Sequence, residues 1–187
     1  GRIYRLTTLL LRMLPGEHEY KVMGLAPYYN GPKASEVEKI FNKMQTIERL
    51  DFKFDRKIKN IYDYLEENLK SYRFDHIAAG LQMFTENILT KWISAAISEF
   101  NESSIVFSGG ISMNIKANQK ISQIPGISKF FVSGGGTDLS LAIGACYLET
   151  EMSGSSPEYL STMYLGPIEK YPHGIIEKLS HKYKISK

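Results

Sequence analysis

Ser104-Ile105-Val106-Phe107-Ser108-Gly109-Gly110 and Lys129-Phe130-Phe131-Val132-Ser133-Gly134-Gly135-Gly136-Thr137-Asp138 read alike. Each is a short β-branched or aromatic run that ends in glycines. Helical spacing follows each of them, over residues 111–124 and 139–149. Apolar runs of this length, closed by glycine, signal buried strands that stop at a backbone-dense turn. Glycine has no Cβ and tolerates positive φ, so such a turn lets backbone N–H groups approach a phosphate. The stretch predicts an α/β fold built on two strand–turn–helix units, with a nucleotide site floored by the two turns.

The residues expected at that site are Ser108, Gly109 and Gly110 on the first turn and Gly134, Gly135, Gly136 and Thr137 on the second. Neither turn is a P-loop, because no Gly-Lys-Ser/Thr follows, and neither carries Gly-x-Gly-x-x-Gly. A plain tight turn accounts for the glycines equally well. Asp138 follows the glycines at a helix start. It reads either as a helix N-cap or as an oxygen ligand for a hard cation that bridges phosphate oxygens. Asn114 either points back to the first turn or lies on the helix surface.

Outward from this stretch, residues 75–100 form the longest periodic segment, with Asp75 as the expected cap. Ile77, Leu81, Phe84, Ile88, Trp92 or Ile93, Ala96 and Phe100 track one face, expected to pack across the sheet. His76 and Gln82 are its polar members and are expected to be satisfied or solvated. Nearer the start, Ile3, Leu6, Leu9, Leu10 and Met13 have helical spacing, which Pro15-Gly16 ends. Residues 16–28 open with acids and close at Pro27, so a second helix is expected there. Glu17 and Lys21 then share a face, as a surface ion pair or as site residues. Ser35 and Glu38 form a capping-box pattern for a helix over residues 35–50. Residues 50–54 alternate like an exposed strand, and Ile61, Tyr64, Leu65 and Leu69 face inward on a helix within residues 58–72. The charged span 33–74 reads as a lid or helical insertion. Residues 152–157 and Tyr164-Leu165-Gly166-Pro167 are breaks, and residues 175–187 form a basic end.

The 187 residues are 43% hydrophobic and 23% charged, as in ordinary soluble domains, with room for one domain and a small appendage. A net charge of +3 is too weak to argue for nucleic acid. The lone Cys146 excludes an internal disulfide and, within an apolar helical pattern, is expected to be a buried thiol. No signal-peptide pattern and no membrane-length apolar run is present, so a cytoplasmic protein is expected. A start without Met gives the expectation of a piece cut from a longer protein.

Three motifs carry a family resemblance. Gly16-Glu17-His18-Glu19-Tyr20-Lys21-Val22-Met23-Gly24-Leu25-Ala26-Pro27-Tyr28 resembles a signature of the O-carbamoyltransferases of the nodulation and antibiotic-biosynthesis type. Val106-Phe107-Ser108-Gly109-Gly110-Ile111-Ser112-Met113-Asn114, with Lys116-Ala117-Asn118-Gln119-Lys120-Ile121, resembles the second. Residues 131–145 resemble the third, a Gly-Asp followed by a small-residue helix. The opening Gly1-Arg2-Ile3-Tyr4 also resembles the family's Gly-Arg-x-Tyr run, and Tyr164-Leu165-Gly166-Pro167 the segment closing its first domain.

The resemblance implies an actin-like ATPase (ribonuclease H-like) half-domain, a mixed sheet flanked by helices, over residues 1–151. Residues 152–187 would then link to an absent C-terminal domain. It implies carbamoyl transfer from carbamoyl adenylate, made from carbamoyl phosphate and ATP, to a hydroxyl of a small-molecule acceptor. This piece alone is expected to be inactive. ATP or carbamoyl adenylate and a divalent metal are the implied cofactors, with iron, manganese, zinc and magnesium left open. Asp138 matches the family's third metal ligand, while the metal-binding histidine pair of the first half is not in this chain. Glu17 and Lys21 match nucleotide contacts. The implied partners are the acceptor, the missing N-terminal half, the carbamoyl-adenylate-forming domain and a homodimer mate, with no membrane and no nucleic acid. The chain departs from the family pattern at residues 133–140, where Thr137 and Ser140 add hydroxyls and bulk. A divergent non-catalytic nucleotide-binding or assembly module stays open as an alternative. So does a relative of the tRNA threonylcarbamoyl transferases, which the weak charge disfavours.

Overall fold

The structure is a computed structural model that describes residues 1–158 together with Leu160, Thr162, Gly166 and Leu179. Its spine is a helix of 27 residues, α5 (Phe74–Phe100), on which α2 (Glu19–Leu25), α3 (Pro32–Met44) and α6 (Ile115–Ser122) pack. Four helices precede or contact it: α1 (Arg2–Leu10), α2 (Glu19–Leu25), α3 (Pro32–Met44) and α4 (Ile61–Leu69). Between α3 and α4 lies an antiparallel hairpin, β1 (Gln45–Glu48) and β2 (Asp51–Phe54).

Local chemistry sets several boundaries. Pro32 opens α3 at its first helical position, where its missing N–H costs nothing. The Asn60 side chain caps α4 by accepting from the N–H groups of Tyr62 and Asp63. Asn101, left-handed at φ 52°, closes α5. Three expectations fail here. Ser35 lies inside α3, so no capping box forms, and residues 45–48 are a strand and not the end of a helix. Thr46 and Ile47, both β-branched, favour the extended form once β2 offers a partner. Asp75 does not cap α5 either. Arg73 holds that place, and the Asp75 carboxylate takes the Arg73 guanidinium through two bonds of 3.2 Å.

The core gathers α3, α4 and α5. Val37, Phe41, Met44, Leu65, Leu69 and Leu81 are each at most 1% exposed. Full burial of one such side chain contributes about 1.5–3 kcal/mol. Gly80 lets α3 and α5 approach, since a Cβ there would run into the Val37 side chain and the Ala34 carbonyl oxygen. The span 33–74, expected as a helical insertion, thus contains a hairpin and contributes to the same core as α5.

The sequence-predicted strands stand where expected. β3 (Ser104–Phe107) pairs in parallel with β4 (Lys129–Val132), with Ile105 beside Phe130 and Phe107 beside Val132. Those four join the core, whereas Val106 (78% exposed) and Phe131 (56%) occupy the open face. The crossover between them holds a 3-10 turn, Gly110–Met113, and α6 (Ile115–Ser122), where one helix over 111–124 was expected. Asn114 causes the break: its extended backbone ends the turn and its side chain caps α6 through the Ala117 N–H at 3.0 Å. α5 packs mainly on α3 and α6 and only lightly on the β3–β4 pair, so its expected role across a sheet is not met. Phe100 is exposed for the same reason.

α7 (Ser140–Met152) has no buried residue, and Cys146 on it is exposed, contrary to the expected buried thiol. The chain divides into two compact units, Gly1–Cys146 and Tyr147–Lys187. The break at residues 164–167 and the basic end 175–187 lie almost wholly outside the described residues. Among the described residues no helix is long and apolar enough to cross a membrane.

Candidate functional site

The two glycine corners meet. Gly109, at φ +97°, donates its N–H to the Gly136 carbonyl at 2.7 Å. The Ser112 N–H closes the first corner onto the Gly109 carbonyl, and the Gly136 N–H closes the second onto Ser133. Glycine is required at these two places for different reasons. Position 109 needs the positive φ. Position 136 needs the space, because a Cβ there would meet Ser112 Oγ at 2.5 Å. Above Gly109 and Gly110 a Cβ would meet nothing within 4 Å, so that surface stands open.

Thr137 starts α7. Its carbonyl accepts from the Ser140 N–H and from Ser140 Oγ at 2.9 Å, and its hydroxyl faces the Leu139 N–H. The Asp138 carboxylate makes no capping bond and is exposed. The helix cap that sequence alone leaves open for Asp138 is therefore not formed.

A cavity of about 1020 Å³ lies over these corners. One wall is Gly110, Ile111, Met113, Asn114, Thr137 and Asp138. The other comes from α1 and the turn before α2, with Tyr4, Arg5, Leu9, Gly16, Glu17, Glu19 and Tyr20. Gly16, at φ +91°, donates its N–H to Glu19 Oε1 at 2.7 Å, which folds the turn into the wall. Because α2 begins only at Glu19, Glu17 is not on the helix and shares no face with Lys21. Lys21 instead lies 2.9 Å from His18 Nε2 and outside the cavity lining. Its expected pairing with Glu17 is not formed.

Behind the cavity is a buried polar cluster. Tyr4 Oη donates to Gln82 Oε1 at 3.0 Å, and Asn114 Nδ2 donates to the same oxygen at 2.9 Å. Gln82 Nε2 donates to Asn114 Oδ1 at 3.0 Å and to Glu86 Oε1 at 2.8 Å. Lys120 Nζ pairs with Glu86 Oε2 at 2.6 Å. Burial, with the nearby charges of Glu86 and Glu19, pushes the Tyr4 phenol well above the ordinary tyrosine range, which keeps it a hydrogen-bond donor. Ser112 Oγ and Asn118 Oδ1 are buried without a hydrogen-bond partner, directly under the corners.

Of the residues expected from sequence, the cavity brings together Glu17, Gly110, Asn114, Thr137 and Asp138. Gly109, Gly135 and Gly136 use their amides inside the corners and shape the floor. Ser108 and Gly134 are exposed and are not part of the lining. Sequence reasoning missed Arg5, Glu19 and Tyr20, whereas Gln82, expected to be satisfied or solvated, is buried and satisfied. The available signal for Gln82 was its spacing from Glu86, two polar residues four apart and so on one face of the helix. His76 has the expected bland role, its ring tilted against Tyr29 with centroids 4.1 Å apart.

The residues fit a phosphate-bearing ligand, given the open floor over Gly110 and a cleft with arginine on one wall. They do not complete a metal site. Among the described residues no three His, Cys, Asp or Glu side chains are grouped to hold an ion. Asp138 supplies at most one ligand.

The family profile described as "Carbamoyltransferase N-terminus" matches residues 1–147. An uncharacterized protein of Synechocystis is 24% identical over 191 residues, covering 89% of this chain and 31% of that protein. An uncharacterized protein of Methanocaldococcus jannaschii is 27% identical over 128 residues, covering 66% of this chain and 25% of that protein. The chain thus spans about a third or less of the curated relatives it matches.

Proposed function

This chain belongs to the carbamoyltransferase N-terminus family, and on that premise we propose that its cleft holds the adenylate from which a carbamoyl group passes to an acceptor hydroxyl. One observation carries the reading: three sequence-distant motifs, at Glu17, at Gly110–Asn114 and at Thr137–Asp138, line a single cavity over glycine corners tied to each other. The fold belonging to this reading is the second half of an actin-like ATPase domain. The remaining half and a carbamoyl-adenylate-forming domain come from elsewhere in a longer protein.

In this mechanism carbamoyl phosphate and ATP supply the carbamoyl adenylate. The phosphate lies over Gly110, where no side chain intrudes, and beside the Thr137 hydroxyl. Arg5, on the facing wall, offsets the phosphate charge. The acceptor oxygen attacks the carbonyl carbon, the bond from that carbon to the phosphate oxygen breaks, and AMP leaves while the hydroxyl proton passes to a base. Glu17, an exposed carboxylate of the same cavity, has the chemistry to take that proton. Fixed donors around the reacting carbonyl stabilise the charge that develops on its oxygen. A divalent metal would need Asp138 together with ligands from outside the described residues, and would supply Lewis-acid polarisation of a phosphate or carbonyl oxygen.

The test uses the full protein, with calorimetric titration of ADP and measurement of carbamoyl transfer. ADP should bind, and Asp138→Ala should lower turnover on the order of 100-fold or more while lowering metal content. Unchanged rate and metal content in that variant would reduce Asp138 to an ordinary loop residue. Failure of the wild type to bind ADP would remove the adenylate reading itself.

A further inference from the structure

The buried cluster behind the cavity has a fixed hydrogen-bond polarity, and that polarity runs from Lys120 to the cavity wall. Lys120 pairs with Glu86, and a carboxylate only accepts. Gln82 must therefore turn its amide nitrogen toward Glu86 and its oxygen toward Tyr4 and Asn114. That oxygen has no hydrogen, so both Tyr4 Oη and Asn114 Nδ2 must donate to it. Asn114 is fixed a second time, because its oxygen accepts from the Ala117 N–H and from Gln82.

Two capacities remain, and both residues line the cavity. Tyr4 has committed its only proton, so its oxygen can do nothing but accept. Asn114 has one N–H left, and it can do nothing but donate. Because both bond the same Gln82 oxygen, the acceptor and the donor stand side by side. Tyr4 is 5% and Asn114 6% exposed, so neither can turn away to solvent.

We propose that Tyr4 and Asn114, oriented by Gln82 and Glu86, read the carbamoyl group of the ligand. Asn114 Nδ2 donates to the carbamoyl carbonyl oxygen, and Tyr4 Oη accepts from the carbamoyl NH2. This rests on the adenylate reading above and adds the group that the site selects. An acetyl group has the same shape and the same carbonyl, but its methyl offers Tyr4 no proton. The buried acceptor would then be left without a partner, which is how a site rejects an isostere.

The probes are 5′-O-(N-carbamoylsulfamoyl)adenosine and 5′-O-(N-acetylsulfamoyl)adenosine, stable mimics that differ by NH2 against CH3. Calorimetry on the full protein should show the carbamoyl form binding about tenfold tighter, the scale of one hydrogen bond. Tyr4→Phe should bring that ratio near one while the acetyl form keeps its affinity. A merely structural role for Tyr4 would weaken both probes together, and that result overturns the proposal. Glu86→Gln, which frees Gln82 to turn over, should also erase the ratio. If Glu86→Gln fails to fold by circular dichroism, Tyr4→Phe alone decides. A ratio of one in the wild type, with both probes bound, overturns the carbamoyl reader and leaves the adenylate site standing. No binding of either probe removes the adenylate site, and the reader with it.

Discussion

The two strand–turn–helix units look alike in sequence and differ in how they are held. After β3 the chain is anchored through α6: Asn114 caps that helix, and Ala117 and Ile121 are wholly buried against the core. After β4 the chain enters α7, which is apolar yet has no buried residue, with Leu141 70% exposed. An apolar helix is not a buried helix until another element covers it. The difference teaches that the first corner is a rigid wall built by its neighbours, whereas the second is fixed mainly at its glycines, through the bond from Gly109 to Gly136.

Three substitutions in the 187-residue chain break or sharpen this contrast. Ile121→Ala should have the largest effect, about 2–5 kcal/mol by urea denaturation, because it opens a cavity in a site with no exposure. A cost under about 1 kcal/mol would mean that α6 is no better anchored than α7. Gly136→Ala comes next, at about 1–3 kcal/mol, since its methyl would press on Ser112 Oγ. Adding Ser112→Ala removes that oxygen and should recover much of the loss. No recovery would place the strain elsewhere than between the corners. Leu141→Ala should be smallest, within about 0.5 kcal/mol, as for surface positions lacking special contacts. A thermal melt lowered as much as by Ile121→Ala would show that α7 is covered in solution.

Much of the fold was legible because it rests on local rules. The apolar runs at Ser104–Phe107 and Lys129–Val132 became strands with those same ends, since a glycine turn stops a strand wherever it falls. Helix starts were less legible. Ser35 and Asp75 have the right side chains for caps, but α3 opens earlier at Pro32, which suits a first helical position, and Arg73 holds the cap position of α5. The site was half legible. Asp138, Thr137 and Asn114 announced themselves beside glycines, whereas Tyr4 and Gln82 are 78 residues apart and Gln82 and Asn114 are 32 apart.

What the sequence by itself determined was the α/β class, the two glycine corners and the family, because short-range periodicity and residue type encode these directly. Only the tertiary structure decided which of those residues share a wall. The spacing of Glu17 and Lys21 suggested a helix face that never forms, because the chain is still turning at Gly16. The partnership of Tyr4, Gln82 and Asn114 had no local trace at all. It depends on where α1 and α6 settle on α5, and that follows from burial of apolar surface summed over the whole core.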